Sequence, residues 1–281
     1  TNPVTPTMAD VTGECSATAT APSTTDNCTG TITGTTTDPL TYTAQGSYVI
    51  NWVFDDGNGN SITVPQNVIV DDITNPVTPT MADVTGECSA TVTAPSTTDN
   101  CVGTITGTTT DPLTYTAQGS YVINWMFDDG NGNTITVPQN VIVDDTTAPI
   151  PDLQQLPSIL AECEVQGLTQ PIAYDACDGI IFGSHDVASL PITSQGTTVI
   201  TWTFVDSQGN TSTQTQNVVI DDNTAPVPDM TNLSDIEAEC EITELVSPTA
   251  TDNCSGNIIG TYDVVLPITT TGTIDLGALT Q

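Results

Sequence analysis

Apolar and polar residues alternate with a period of two along most of this chain. In Tyr48-Val49-Ile50-Asn51-Trp52-Val53-Phe54, the residues Tyr48, Ile50, Trp52 and Phe54 share one face, the pattern of a strand with one buried side. The turn Asp55-Asp56-Gly57-Asn58-Gly59-Asn60 follows, rich in residues that tolerate positive φ. Ile62 to Val70 resumes the apolar pattern, so the two runs predict a β-hairpin. Pro65 lacks a ladder donor and is expected at a bulge or an edge. Upstream, Val11, Gly13, Cys15, Ala17 and Ala19 alternate with Thr12, Glu14, Ser16, Thr18 and Thr20, which predicts one further half-buried strand. Even Asp235–Leu245, the segment most like a helix, alternates Ile236, Ala238, Cys240 and Ile242 against Glu237, Glu239 and Glu241. It too reads as strand.

The pattern repeats. Residues 74–146 copy residues 1–73 except at Ala19/Val92, Thr29/Val102, Val53/Met126, Ser61/Thr134 and Ile73/Thr146. These exchanges are mild and read as drift after duplication. Diverged copies open at Thr147-Ala148-Pro149 and Thr224-Ala225-Pro226, and the last stops at Gln281 before any Trp or Asp-x-x-Gly-Asn segment. The expected domains are therefore 1–73, 74–146, 147–223 and an incomplete 224–281. Short strands with turn signals every 8–12 residues predict an all-β chain of tandem Ig-like or fibronectin-like antiparallel sandwiches, end to end. The immunoglobulin framework of a Trp between two distant Cys does not fit, and Trp52, Trp125 and Trp202 read as core residues.

Composition changes this picture in one respect. The chain has no Lys or Arg, 34 Asp and Glu, one His and a net charge of −34. Salt bridges to basic side chains are impossible, and nucleic acid is excluded as a direct partner because phosphate binding needs Lys or Arg. Anionic membrane surfaces are disfavoured on the same ground, and no run is long enough to insert in a bilayer. With 37% hydrophobic residues set at strand spacing, the chain reads as folded and not as a charged disordered segment. It begins at Thr1 with neither methionine nor signal peptide, which suggests an internal or processed piece. Eight regularly placed cysteines point to an oxidising, secreted or cell-surface setting.

The cysteines fall in pairs 13 or 14 residues apart. This spacing suggests one internal disulfide per repeat: Cys15–Cys28, Cys88–Cys101, Cys163–Cys177 and Cys240–Cys254. Bridges between neighbouring chains are the lesser alternative. Zinc is disfavoured, since no Cys-x2-4-Cys pair or nearby His accompanies them.

The acids gather in three recurring clusters. Asp71-Asp72, Asp144-Asp145 and Asp221-Asp222 close each repeat. Asp26, Asp99, Asp175 and Asp252 precede each second cysteine. The hairpin turns hold Asp55 and Asp56, then Asp128, Asp129 and Asn131, then Asp206 and Asn210. In a sandwich, the last strand delivers its Asp pair to the pole of the next repeat, where the other two clusters lie. Carboxylates packed within about 4–6 Å raise one another's pKa. Without basic residues, a calcium ion with six to eight oxygen ligands is the expected remedy. The turn is not an EF-hand, because Ser61 and Asn67 stand where its Gly and Glu belong. Glu14, Glu87, Glu162 and Glu239 are expected to be solvated strand residues.

Taken together, Asp-Asp-x-Thr-Ala/Asn-Pro, Glu-Cys, Asp-Asn-Cys, Gly-x-Tyr/Thr-x-Ile-x-Trp and Asp-x-x-Gly-Asn resemble the hyalin-like (HYR) repeats, and more narrowly those of large surface adhesins of gliding Bacteroidetes. The resemblance implies an Ig-like fold, export and a role in adhesion or as a stalk. It also suggests an O-glycan at Thr146. The third repeat departs at Tyr174-Asp175-Ala176-Cys177-Asp178 and at Asp206-Ser207-Gln208-Gly209-Asn210.

Catalysis finds no support: a hydrolase triad needs a His base, and His185 stands alone in a turn-like context. The reading is a structural repeat region whose partners are its own neighbouring repeats, with self-association into a filament or contact with a surface polysaccharide as further expectations. The alternative is that the repeats themselves bind carbohydrate, or ice through threonines such as Thr31, Thr33 and Thr35.

Overall fold

The computed structural model describes residues 1–269. The chain is all-β, with no helix among the described residues. The first repeat contains β1 (Val11–Gly13), β2 (Ala17–Thr18), β3 (Ser23–Asp26), β4 (Gly30–Thr33), β5 (Thr41–Tyr42), β6 (Gly46–Asp55) and β7 (Ser61–Val70). The predicted hairpin forms in continuous register, from Gly46 opposite Val70 to Asp55 opposite Ser61. Strand β1 joins the other side of β7 in parallel, Val11 beside Val68 and Gly13 beside Val70. The facing layer is built from the β3–β4 hairpin and the β2–β5 pair.

Side chains from both layers fill the space between them. Ile50, Trp52, Phe54, Val68 and Val70 meet Ala17, Ala19 and Ile32. Equivalent cores surround Trp125 and Trp202. The chain divides into two compact units, Thr1–Asp145 and Thr146 onward.

Two expectations need correction and a third is met. The strand foreseen across residues 11–19 is broken at Glu14–Ser16, where the chain turns from one layer to the other. A Cβ on Gly13 would lie 2.0 Å from the Ser16 carbonyl oxygen, so glycine permits this tight corner in the first repeat. Ala161 holds the corresponding place in the third. Pro65 sits at an edge, as expected: β1 covers β7 only at Val68–Val70, so the edge of β7 beside Pro65 needs no donor. Finally, Asp235–Leu245 forms no strand. Among the described residues, Ile242 makes an isolated bridge to Ile268.

The hairpin also sets two poles. Gly13, Gly46 and Val70 mark the trailing pole, where the chain leaves the repeat. Asp26–Gly30 and the Asp55–Asn60 turn share the leading pole, where the Thr29 hydroxyl donates to the Asp56 carbonyl at 3.2 Å. Nine residue steps of about 3.4 Å separate the poles by roughly 30 Å.

Candidate metal centre at the repeat junctions

That separation overturns the expected disulfides. Cys15 follows the trailing corner and Cys28 lies at the leading pole of the same repeat, far beyond the Cα separation of about 7 Å that a bridge can span. Cys15 is instead bonded to Cys101 of the second repeat, and Cys163 to Cys254, each with Cα atoms 4.9 Å apart. Cys88 and Cys177 are also in disulfides, while Cys28 and Cys240 are exposed free thiols. None of the bridges Cys15–Cys28, Cys88–Cys101, Cys163–Cys177 and Cys240–Cys254 forms.

The same topology brings acids together at the junction of the first two repeats. Asp72, Asp99 and Asp129 are all buried, and one oxygen from each lies within 4.8 Å of the others. Asp72 comes from the linker, Asp99 from the loop before Cys101, and Asp129 from the hairpin turn. At this distance each carboxylate pair repels by about 0.9 kcal/mol in water and about 3.5 kcal/mol at an effective dielectric of 20.

Hydrogen bonds offset part of this repulsion. Asp99 Oδ1 accepts from the amides of Cys101 at 2.8 Å and Val102 at 3.1 Å. Asp129 accepts from the amides of Asn131 and Asn133 and from the Asn133 side chain at 2.7 Å. Burial raises the pKa of Asp129, but the Asn133 side chain and the turn amides outweigh it, and the net shift is downward. Asn131 Nδ2 donates to the Asp72 carboxylate at 3.1 Å and Asn133 Nδ2 to its carbonyl at 2.8 Å. Asp99 Oδ2 is buried and has no hydrogen-bond partner. A buried oxygen without a partner, on one of three carboxylates gathered within 4.8 Å in a chain with no basic residue, fits a hard cation.

Other acids stand apart from this cluster. Asp71, Asp144 and Asp221 are exposed, because neighbours on an extended chain face opposite ways and only the second Asp of each pair turns inward. Asp55 and Asp128 are exposed and accept from the amides of Gly57 and Gly130 in their own turns. Asp26 and Asp56 are buried at the leading pole of the first repeat. The backbone N–H groups of Cys28 and Thr29 lower the pKa of Asp26.

In the second unit, Asp222 and buried Asp252 approach within 4.8 Å. Asp175 Oδ2 is buried without a hydrogen-bond partner. Buried Asp206 accepts from Asn210 Nδ2 at 2.9 Å, and Asp145 is buried as well. Thr146, Thr31, Thr33 and Thr35 are exposed, and His185 is an exposed residue set edge-on against Trp202.

Two sets of residues were misread or missed. Glu14 is not simply solvated: it accepts from Thr74 Oγ1 at 2.6 Å and Asn100 Nδ2 at 2.7 Å, both in the second repeat. Glu162 likewise accepts from Thr224 and Asn253. Gln45 pins the linker, donating to the Glu14 carbonyl and accepting from the Asp72 amide, each at 2.9 Å. Gln118 and Gln195 do the same. Their signal was visible as a Gln-Gly pair before each long hairpin strand.

No family model matches the chain. It is similar to Hyalin of Strongylocentrotus purpuratus, 32% identical over 245 residues covering 78% of this chain and 20% of that protein. It is also similar to Hyalin of Lytechinus variegatus, 30% identical over 208 residues covering 69% of this chain and 37% of that protein. The chain thus spans well under half the length of either relative. Among solved structures, it superposes on the Protocadherin GammaB4 extracellular domain with 14% identity, 90% of this chain, 56% of that chain and a TM-score of 0.31. For mouse clustered PcdhgC3 EC1-3 the values are 13%, 62%, 76% and 0.26.

Proposed function

Because the chain consists of hyalin-like repeats, we propose that it is a structural stretch of an extracellular adhesion protein, without catalytic activity of its own. In this reading it comprises domains 1–73, 74–146, 147–223 and 224–281, held in fixed register by calcium and by disulfides that staple one repeat to the next. The observation that carries the calcium reading is the buried, unpartnered Asp99 Oδ2 beside the carboxylates of Asp72 and Asp129. These three residues would hold the ion, with Asn131 and Asn133 able to offer carbonyl oxygens in place of their N–H groups. The ion would neutralise the cluster and tie the linker of one repeat to two loops of the next.

Extracellular calcium modules bind with Kd of about 10⁻⁴–10⁻³ M. At ten to a hundred times Kd, each site stabilises the fold by roughly 1.4–2.7 kcal/mol. Thermal melts of the full chain with calcium and with chelator test this, alongside the double variant Asp72→Asn, Asp99→Asn. Calcium is expected to raise the melting temperature of the native chain and to lose that effect at the first junction in the variant. A native chain whose melting and calorimetric titration both ignore calcium would overturn the reading and leave the acids as polar turns.

A further inference from the structure

The third repeat departs from the first two on the outer face of one sheet. Its strands Ile150–Pro151, Ile172–Asp175 and Gly179–Phe182 pair antiparallel in that order. Ala173 and Asp175 are buried on the inner side, so the residues that alternate with them face outward. Ile150, Tyr174 and Ile180 stand in register as one outward row, and Ile172 opposite Phe182 forms the next. Ile150 is 69% exposed, Tyr174 48%, Ile180 53% and Phe182 62%; Ile172 is half-buried. At the places of Ile172, Tyr174, Ile180 and Phe182, the first repeat carries Ser23, Thr25, Thr31 and Thr33, and the second carries Ser96, Thr98, Thr104 and Thr106. Four hydroxyls have given way to four large apolar or aromatic side chains. Soluble proteins rarely gather such a patch on an open surface without a partner for it. Asp152 bounds the patch. Its amide donates to the Ile172 carbonyl at 3.0 Å, which extends the second row to Asp152, Ile172 and Phe182. The equivalent Asp229 of the fourth repeat accepts from the hydroxyls of Thr249 and Thr251, so an Asp in this place lies on the outer face. Ile172 has no hydroxyl to offer Asp152.

We infer that this face docks a partner protein that presents apolar side chains together with a Lys or Arg. The apolar side chains cover Tyr174, Phe182 and the three isoleucines, and the cation meets Asp152 at the edge. That charge has to come from a different protein, because this chain holds no Lys or Arg. A second copy set face to face would bury two Asp152 carboxylates with nothing to pair them, which is strongly unfavourable. A neutral polysaccharide fits less well, since Ile150, Ile172 and Ile180 offer its sugars neither a hydrogen bond nor an aromatic ring. The negative field of the chain also speeds the approach of a basic partner. The inference goes beyond the stalk reading and depends on neither calcium nor the disulfides.

The probe is a cyclic β-hairpin peptide with Ile and Phe on one face and Lys at its edges, titrated into the full chain by calorimetry at low and at raised salt. The native chain is expected to bind it. Ile172→Ser, Tyr174→Thr, Ile180→Thr and Phe182→Thr, made together, install the residues of the first repeat and should weaken binding roughly tenfold or more. Asp152→Asn should weaken it less and reduce its dependence on salt; as a single exposed change, it keeps the test decisive if the fourfold variant misfolds. The same peptide with Glu in place of Lys should not bind. Failure of the native chain to bind, or equal binding by the native chain and both variants, would overturn the inference and leave only general attraction of a cation to an acidic chain. Native dimers in sedimentation that the fourfold variant lacks would put a second copy on this face instead. Binding of a neutral β-glucan oligosaccharide, lost in the same variant, would put a polysaccharide there, and either result also overturns it.

Discussion

At the level of single residues, each core tryptophan relies on a glutamine of the neighbouring strand. The Trp52 indole donates to Gln66 Oε1 at 2.9 Å, and Gln66 Nε2 passes the connection to the Ala9 carbonyl. Trp125 with Gln139 and Trp202 with Gln216 repeat it. Replacing Gln66 with Leu strands a buried N–H, at a cost of about 1–3 kcal/mol, visible as a lower melting temperature reported by Trp52. Acid acts elsewhere. Asp56 is held below the ordinary Asp value of 3.8 mainly by the Asn60 side chain and the Asn58 amide, and Asp129 lies below it despite its burial. A carboxylate with a lowered folded pKa contributes stability that is fully present above the unfolded value and lost as pH falls through the folded one. Melting followed from neutral pH downward should therefore show these contributions intact until about 3.8 and declining below it. A decline in them that begins well above that value would contradict the assignment.

Among the elements, the Gly13–Ser16 corner has the largest consequence, because it sends Cys15 outward to the next repeat. The Cys15–Cys101 bridge spans 86 residues of sequence. In the chain-entropy model a loop of this length contributes roughly 4.6 kcal/mol, against about 3 kcal/mol for the short loop expected from spacing alone. Peptide mapping under non-reducing conditions, with cleavage at acidic residues, is expected to recover Cys15 with Cys101 and Cys163 with Cys254. Changing Cys15 to Ser should lower stability by up to a few kcal/mol and free the Cys101 thiol to labelling. The hairpin β6–β7 was legible in its two strands and its turn, since period-two alternation and the Asp-Gly-Asn segment mark them. The corner was not, because Val11 to Ala19 keeps the same alternation while crossing between layers.

For the whole molecule, calcium and a disulfide are expected to act on the same junction. The disulfide ties Cys15 to Cys101, and a calcium ion bound at the cluster would tie Asp72 to Asp99 and Asp129. Either restraint alone would limit motion between the first two repeats, so chelation of the oxidised chain should alter its maximum dimension in small-angle scattering only slightly. Reduction followed by chelation should alter it more than the two separate changes combined. A strictly additive response would place the two restraints at independent sites. The three acid clusters, the missing basic residues and the repeat period pointed to this junction without coordinates. Its linker-pinning Gln45 and its Glu14 recur in the sequence as Gln-Gly and Glu-Cys pairs, but their role was not legible because their partners come beside them only in the fold.

The sequence by itself determined the all-β character, the long hairpin and the tryptophan cores. Each rests on local alternation and turn chemistry, which are properties of neighbouring residues. Tertiary structure alone decided which cysteines pair, which Asp of each pair faces inward, and that Glu14 reaches the next repeat. Spacing along the chain counts residues, whereas bonding depends on distance in space. A sandwich about 30 Å long puts Cys15 and Cys28 at opposite poles and Cys15 beside Cys101 of the following repeat.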